Sequence, residues 1–159
     1  MYELLTAQYE SINGARQALF LYCETMKSED IFKKIAAFND NCISDMLVHN
    51  INTYISWLDN FGLEGTMSFY ENGDVASLKE IKTLFAEVDI IVEAFLEKYS
   101  DDYLAPITRL IPRKGLTFTL TPLQLFTHVI THEFHHKGQI LTMSRLLGYI
   151  PADTDVIRT

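Results

Sequence analysis

This sequence predicts an all-α fold, a four-helix bundle with longer crossing loops, and three observations support that prediction. Four long segments carry apolar residues at helical spacing. Helix start and stop signals bracket those segments. The chain has 159 residues, 48% of them hydrophobic, which suits one domain spanning residues 1–159 with a sizeable core.

The first long helix is expected from about Leu4 to Cys23, where Leu4, Leu5, Ile12, Ala15, Leu19 and Tyr22 recur at helical intervals. Ser28-Glu29-Asp30 offers a cap and early acids for a short helix through Ile35. A second long helix should run from about Asn41 to Phe61, with Gly62 as its C′ residue. Gly65 to Asp74 is polar, carries two glycines and reads as a loop. Ser77-Leu78-Lys79-Glu80 is a capping-box pattern that starts a third long helix reaching about Tyr99.

Residues 103–120 break the helical pattern. Ile107, Leu110 and Ile111, then Leu116, Phe118 and Leu120, flank Pro112-Arg113-Lys114-Gly115, and Thr117 and Thr119 alternate with apolar neighbours. A small hairpin or an ordered loop is expected there. The fourth long helix has the sharpest start. Thr121 can cap, Pro122 suits the first helical position, and Gln124 completes a capping box. It should continue to Leu147 and stop at Gly148, with Pro151 beyond.

The formal charge is −8, from 13 basic and 21 acidic residues. Such a balance repels nucleic acid and anionic membranes, so neither is expected as a partner. The densest basic group is only Arg109, Arg113 and Lys114. Cys23 and Cys42, the two cysteines, read as buried reduced thiols. The N-terminal run MYELLTAQYESING is acidic where a signal peptide starts positive, and no apolar run approaches a membrane span. A cytoplasmic protein is the expectation.

Four of the five histidines, His128, His132, His135 and His136, fall within the run THVITHEFHHKGQI. At about 100° per residue, His132 and His136 share an arc with Leu125, Val129, Met143 and Leu147, the stripe expected to face the core. His128 and His135 lie toward its edge. Two inward imidazoles at i, i+4 need partners, because buried polar groups left unpaired are costly, and a metal ion supplies one partner to both. The remaining histidine, His49, lies at the edge of the apolar stripe of the second long helix, where the wheel does not fix its direction, and is by elimination the best candidate for a third ligand. Three protein ligands leave an open coordination position, as a reactive site needs.

Read literally, His132-Glu133-Phe134-His135-His136 also satisfies H-E-x-x-H, the zinc metalloprotease pattern with glutamate as base. Those enzymes often take a third ligand downstream, and neither histidine nor glutamate follows His136 in this sequence. Glu133 therefore stands as a candidate acid/base or ligand-supporting group, with an exposed helical glutamate as the bland alternative. Helix four also carries a second apolar stripe of Leu123, Ile130, Phe134 and Leu141, roughly opposite the histidines, which points to a homodimer unless residues 103–120 or the C-terminal tail cover it.

Three stretches resemble the DinB/YfiT-like family of metal-binding four-helix bundles. They are LVHNINTYISWL around His49, the run HVITHEFHHKGQI, which is similar to that family's H-x3-H-x2-HH-[RK]-GQ, and the ending RLLGYIPADTDVI. The resemblance implies a triad of His49, His132 and His136, a divalent metal, usually zinc or nickel, and frequent homodimers. Some relatives look like transferases that use a low-molecular-weight thiol. Lys137 stands where arginine is common, so a bidentate anion contact at that position is not carried over.

The leading expectation is thus a metal-dependent enzyme acting on a small molecule, a thiol S-transferase or a hydrolase. A non-catalytic metal-binding or stress-response module is the alternative.

Overall fold

The computed structural model describes residues 1–111 and 115–158. The chain is mostly helical with one small two-stranded sheet, so the all-α expectation is corrected to that extent. Helix α1 spans Tyr2–Glu24, the short α2 Ser28–Ile31, α3 Ile43–Tyr54, α4 Leu78–Lys98 and α5 Pro122–Leu146. Helices α1 and α3 each pack on both α4 and α5. The shared core holds Leu19, Phe20, Leu47, Ile51, Phe85, Val88, Phe95 and Phe126, all under a tenth exposed. No helix among the described residues is long and apolar enough to cross a membrane. Cys23 and Cys42 are buried and unbridged.

The caps explain where helices begin. Ser77 Oγ accepts from the Glu80 amide ahead of α4. Thr121 and Gln124 exchange both bonds of a capping box ahead of α5. Gly148 follows α5 with φ +93°, as its stop signal predicts. The short helix differs from expectation. Ser28 is its first residue rather than its cap, and it ends at Ile31. The chain beyond turns through Ala36–Phe38 and pairs Ile35 with Asn41 as an isolated bridge, which removes Ile35 from any helix.

The second long segment departs most. It is α-helical only to Tyr54 and then winds as a π-helix over Ile55–Leu63. Gly62 is not its left-handed cap. That conformation falls on Glu64, at φ +63°. Gly62 is small for another reason: a Cβ there would meet the Phe95 ring at 2.5 Å. The carbonyls that end this segment are satisfied from outside. Gly62 O accepts from Tyr99 Oη at 2.6 Å and from Lys98 Nζ at 3.2 Å, and Arg109 Nη1 donates to the carbonyls of Phe61 and Gly62.

Residues 103–120 do form a hairpin. Strand β1, Ile107–Ile111, pairs antiparallel with β2, Leu116–Leu120, in the register Arg109↔Phe118. Ile107, Arg109, Ile111, Phe118 and Leu120 are half-buried, while the hydroxyls of Thr108 and Thr119 meet on the exposed face at 2.8 Å. Arg113 and Lys114 of the basic group lie outside the described residues.

The wheel of α5 also changes. Its buried residues include Leu125, Val129, Ile140 and Met143, but also Phe126, Ile130, Glu133, Lys137 and Ser144. The two apolar stripes seen in the sequence are the two margins of one broad buried face. Its middle carries Glu133 and Lys137, whose charges disguise it. The histidine margin borders a cleft. On the other margin Ile130 is buried, and Leu123, Phe134 and Leu141 are half-buried against the core. Lys137 Nζ lies 3.7 Å from the centre of the Phe134 ring and donates to Thr154 O at 2.6 Å, so the tail is tied across this side.

Candidate metal centre

Helices α3 and α5 lie side by side, and the pairing brings His49 to His132 and His136. One ring nitrogen from each histidine falls within 4.8 Å of the other two. The Nε2 atoms of His49 and His132 are 3.0 Å apart. His136 is buried, His132 half-buried and His49 exposed, so the trio sits where the core opens to solvent. The sequence placed His132 and His136 within the stripe facing the core; His136 is buried and His132 half-buried, at one margin of the broad buried face.

Local hydration loss keeps the three imidazoles neutral at pH 7. Burial pulls His132 down to about 4, helped by the neighbouring His136, His49, His128 and His135. Burial likewise lowers His136, against a hydrogen bond to Gln139 that opposes the shift. Loss of hydration lowers His49. Neutral imidazole is the form that ligates metal. His136 Nδ1 lies 2.6 Å from Gln139 Oε1, and Gln139 Nε2 faces His135 Nε2 at 3.4 Å. That amide orientation places a proton on His136 Nδ1 and leaves the Nε2 lone pair for an ion.

The donor set fits a divalent ion. Two facing Nε2 atoms can share at most one hydrogen, and a third lone pair converges on them. An ion takes ligand nitrogens at about 2.0–2.1 Å, which puts neighbouring nitrogens roughly 3.3 Å apart in a tetrahedral set, close to the 3.0 Å of the His49–His132 pair. His128 and His135 are exposed beside the trio, and the His128 ring centre lies 5.3 Å from that of Trp57.

A cleft of about 620 Å³ opens from the histidines. His49, Asn52, Thr53, Ser56 and Trp57 form one wall, at helical spacing along α3 and the π-segment. The loop carrying Phe69, Tyr70, Glu71 and Asn72 lines it as well, with His128 and His132 of α5. Side chains hang this loop on the helix. Asn52 Nδ2 donates to Tyr70 O at 2.8 Å while its Oδ1 accepts from Tyr70 N at 2.9 Å. Asp59 accepts from Met67 N, and Asn60 donates to Met67 O.

A family model described as the DinB family matches residues 1–159, the whole chain. The chain belongs to the DinB family. Among its relatives in Bacillus subtilis (strain 168), the protein named DinB is 25% identical over 154 residues, covering 92% of this chain and 88% of that protein. The uncharacterized protein YizA is 23% identical over 143 residues, covering 89% and 87% respectively. The DinB-family chain thus carries its histidine cluster within a match that spans both helices of the site.

Glu133 is not brought to the histidine nitrogens. It is buried, not exposed, and its carboxylate is fully engaged elsewhere. Arg16 Nε donates to Oε1 at 2.8 Å and Arg16 Nη2 to Oε2 at 3.0 Å, while Tyr54 Oη donates to Oε2 at 2.6 Å. Arg16 Nη1 also donates to Asp89 Oδ1 at 2.7 Å, and Tyr9 Oη donates to the same oxygen at 2.7 Å. This network joins α1, α3, α4 and α5 through one or two side chains each. Sequence reasoning missed it. The available signal was Arg16, a charge sitting inside the Ile12–Ala15–Leu19 apolar stripe.

Proposed function

We propose that His49, His132 and His136 hold one divalent metal ion and that the adjoining cleft receives a small-molecule substrate. The observation carrying this reading is the convergence of three neutral imidazole nitrogens beside an open, mixed polar and aromatic cleft that His49 and His132 line. When bound, zinc or nickel would act as a Lewis acid that makes a small thiol or a water more nucleophilic. The protein's own contribution is positional. Gln139 fixes the His136 tautomer, and the cleft walls orient a ligand against the histidine end. The favoured activity is a metal-dependent thiol S-transferase, using a low-molecular-weight thiol, or a hydrolase. Glu133 is assigned a positioning role, because its oxygens are taken by Arg16 and Tyr54. This removes the feature on which a metalloprotease reading rests.

The helical packing is read as a four-helix bundle forming one domain, and the protein as cytoplasmic. A homodimer rests on family resemblance. The α5 face first offered for it is half-buried within the chain, so Phe134→Glu should unfold the protein rather than dissociate it. Light scattering at micromolar concentration tests the dimer directly.

The deciding experiment is metal analysis of protein purified without a histidine tag or metal resin, followed by conjugation of a bromobimane. Wild type should react only when metal and a small thiol are both present, and His136→Ala should be inactive yet folded by circular dichroism. Equal rates with and without metal across several thiols reject the transferase and favour a hydrolase or a non-catalytic metal-binding module.

A further inference from the structure

We propose that the ligand of the histidine cleft is an amphiphile, whose polar head meets His49 and His132 and whose alkyl or aryl tail fills a second space walled by Phe61, Phe69, Leu110 and Ile111. The inference rests on the cleft being the substrate site of the reading above, and it names the chemical class that site takes.

Two lining residues shared by the two spaces carry the argument. The second space, of about 250 Å³, is lined by Ser56, Asn60, Phe61 and Phe69 and by Leu110 and Ile111 of β1. Ser56 and Phe69 also line the cleft of about 620 Å³ beside the histidines. One helical side therefore runs from His49 through Asn52, Thr53 and Ser56 to Asn60, at most roughly 16 Å at the α-helical rise. Histidines stand at its start, and Phe61, Leu110 and Ile111 at its end. Arg109, which also lines the second space, is held by the chain itself. Its Nη1 donates to the carbonyls of Phe61 and Gly62, and its Nη2 donates to Glu64 Oε1 at 2.8 Å. Walls of this kind reward an apolar group that leaves water, whereas a charged tail would lose hydration there.

The walls are set in advance of binding. The π winding over Ile55–Leu63 turns Ser56, Asn60 and Phe61 to one side. The hairpin is docked on that segment by the Arg109 bonds and by the edge contact of Trp57 with Phe118, whose ring centres are 6.0 Å apart. On either side of Phe69 the loop is pinned, at Met67 by Asp59 and Asn60 and at Tyr70 by Asn52. A tail that enters a space already formed orders little of the chain, so its burial shows as affinity.

The probes are acetohydroxamate, butanohydroxamate, hexanohydroxamate and octanohydroxamate, in which the head chelates a divalent ion and only the tail varies. Titration calorimetry on the zinc-loaded protein should show affinity rising roughly two- to fourfold per added methylene, the gain from taking one CH2 out of water. Leu110 is more than half exposed, so a charge there tests the second space rather than the core. In Leu110→Glu, folded by circular dichroism, the rise should fall below about 1.5-fold per methylene. Leu146→Glu, a charge at an exposed leucine ending α5, should keep the wild-type rise. In His132→Ala, incubated with the same zinc, the whole series should weaken at least roughly tenfold. A flat or unmeasurable series in wild type, or an undiminished rise in Leu110→Glu, overturns the proposal, and stoichiometric zinc in that wild type leaves the metal reading standing. A series bound equally by wild type and His132→Ala sinks the metal reading, and the two-part ligand with it.

Discussion

Glu133 and His136 stand three residues apart on α5 and are 6% and 9% exposed, yet their polar atoms meet opposite surroundings. The Glu133 carboxylate accepts three hydrogen bonds from Arg16 and Tyr54, and Arg16 is in turn bound to Asp89 and Tyr9. Every charge there has a partner from within the chain. At His136 one ring nitrogen is fixed by Gln139, and the other joins His49 and His132 in a set of lone pairs that the chain does not complete. A closed network holds helices in register. Three converging imidazoles at the mouth of a cleft suit the metal ion proposed for them. The two clusters are also joined, because Tyr54 lies five residues after His49 and Glu133 directly follows His132.

Removing a ligand tests the incomplete cluster and should give the largest effect. His132→Ala and His136→Ala should each abolish stoichiometric metal in elemental analysis, whereas His135→Ala should keep it. Full metal content in His132→Ala would refute the triad.

Opening the closed cluster should act on stability instead. Arg16→Met leaves Glu133 buried without its cation, a change that costs about 3–5 kcal/mol. Urea unfolding should record that loss, while protein still folded without urea binds metal at wild-type stoichiometry. Lost metal in a folded Arg16→Met protein would erase the distinction between the clusters.

Gln139→Ala removes the acceptor that sets the His136 tautomer and should weaken metal affinity about 10–100-fold with the fold retained. A competition titration against a chelator measures it, and unchanged affinity would mean that the proton position is set without Gln139.

The smallest effect is that of pH on the metal-free protein. Histidine's ordinary value is 6.5, and His132 is held down to about 4 in the fold. The unfolded chain therefore takes up a proton first, so stability falls as pH drops below about 6.5 and levels off near 4. His49 and His136 shift in the same direction. Solvent at the open cleft screens the effect to about 1 kcal/mol, or roughly 2–4 °C in Tm. Thermal melts between pH 8 and 5 should show it, and a Tm that rises on acidification would contradict neutral histidines in the fold.

Much of this arrangement is legible in the sequence because capping chemistry is local. Thr121, Pro122 and Gln124 place the start of α5 to the residue, and the arc shared with Leu125, Val129 and Met143 sets His132 and His136 apart from His128, which is also four residues from His132. What was not legible depends on packing between distant segments. Gly62 reads as a helix stop because glycine tolerates the left-handed region, but the residue is needed small against Phe95. The π-helical winding after Tyr54 has no local signature in Ile55–Leu63. Glu133 reads as a motif base or a surface charge, since only the fold brings Arg16, 117 positions away, to its carboxylate. Nothing local to Trp57 decides between core and pocket lining, and its place in the cleft wall depends on how the following loop crosses it.

That loop has a consequence for how such a site diversifies. The wall from Met67 to Asn72 hangs from Asn52, Asp59 and Asn60 by side-chain bonds to its backbone, largely indifferent to the loop's own side chains. Met67, Phe69 and Tyr70 pack against the core, but the exposed Ser68, Glu71 and Asn72 can be exchanged without disturbing it or the histidine helices. A lineage could thus change what the cleft accepts by altering a few exposed positions, while keeping the three-histidine cluster untouched.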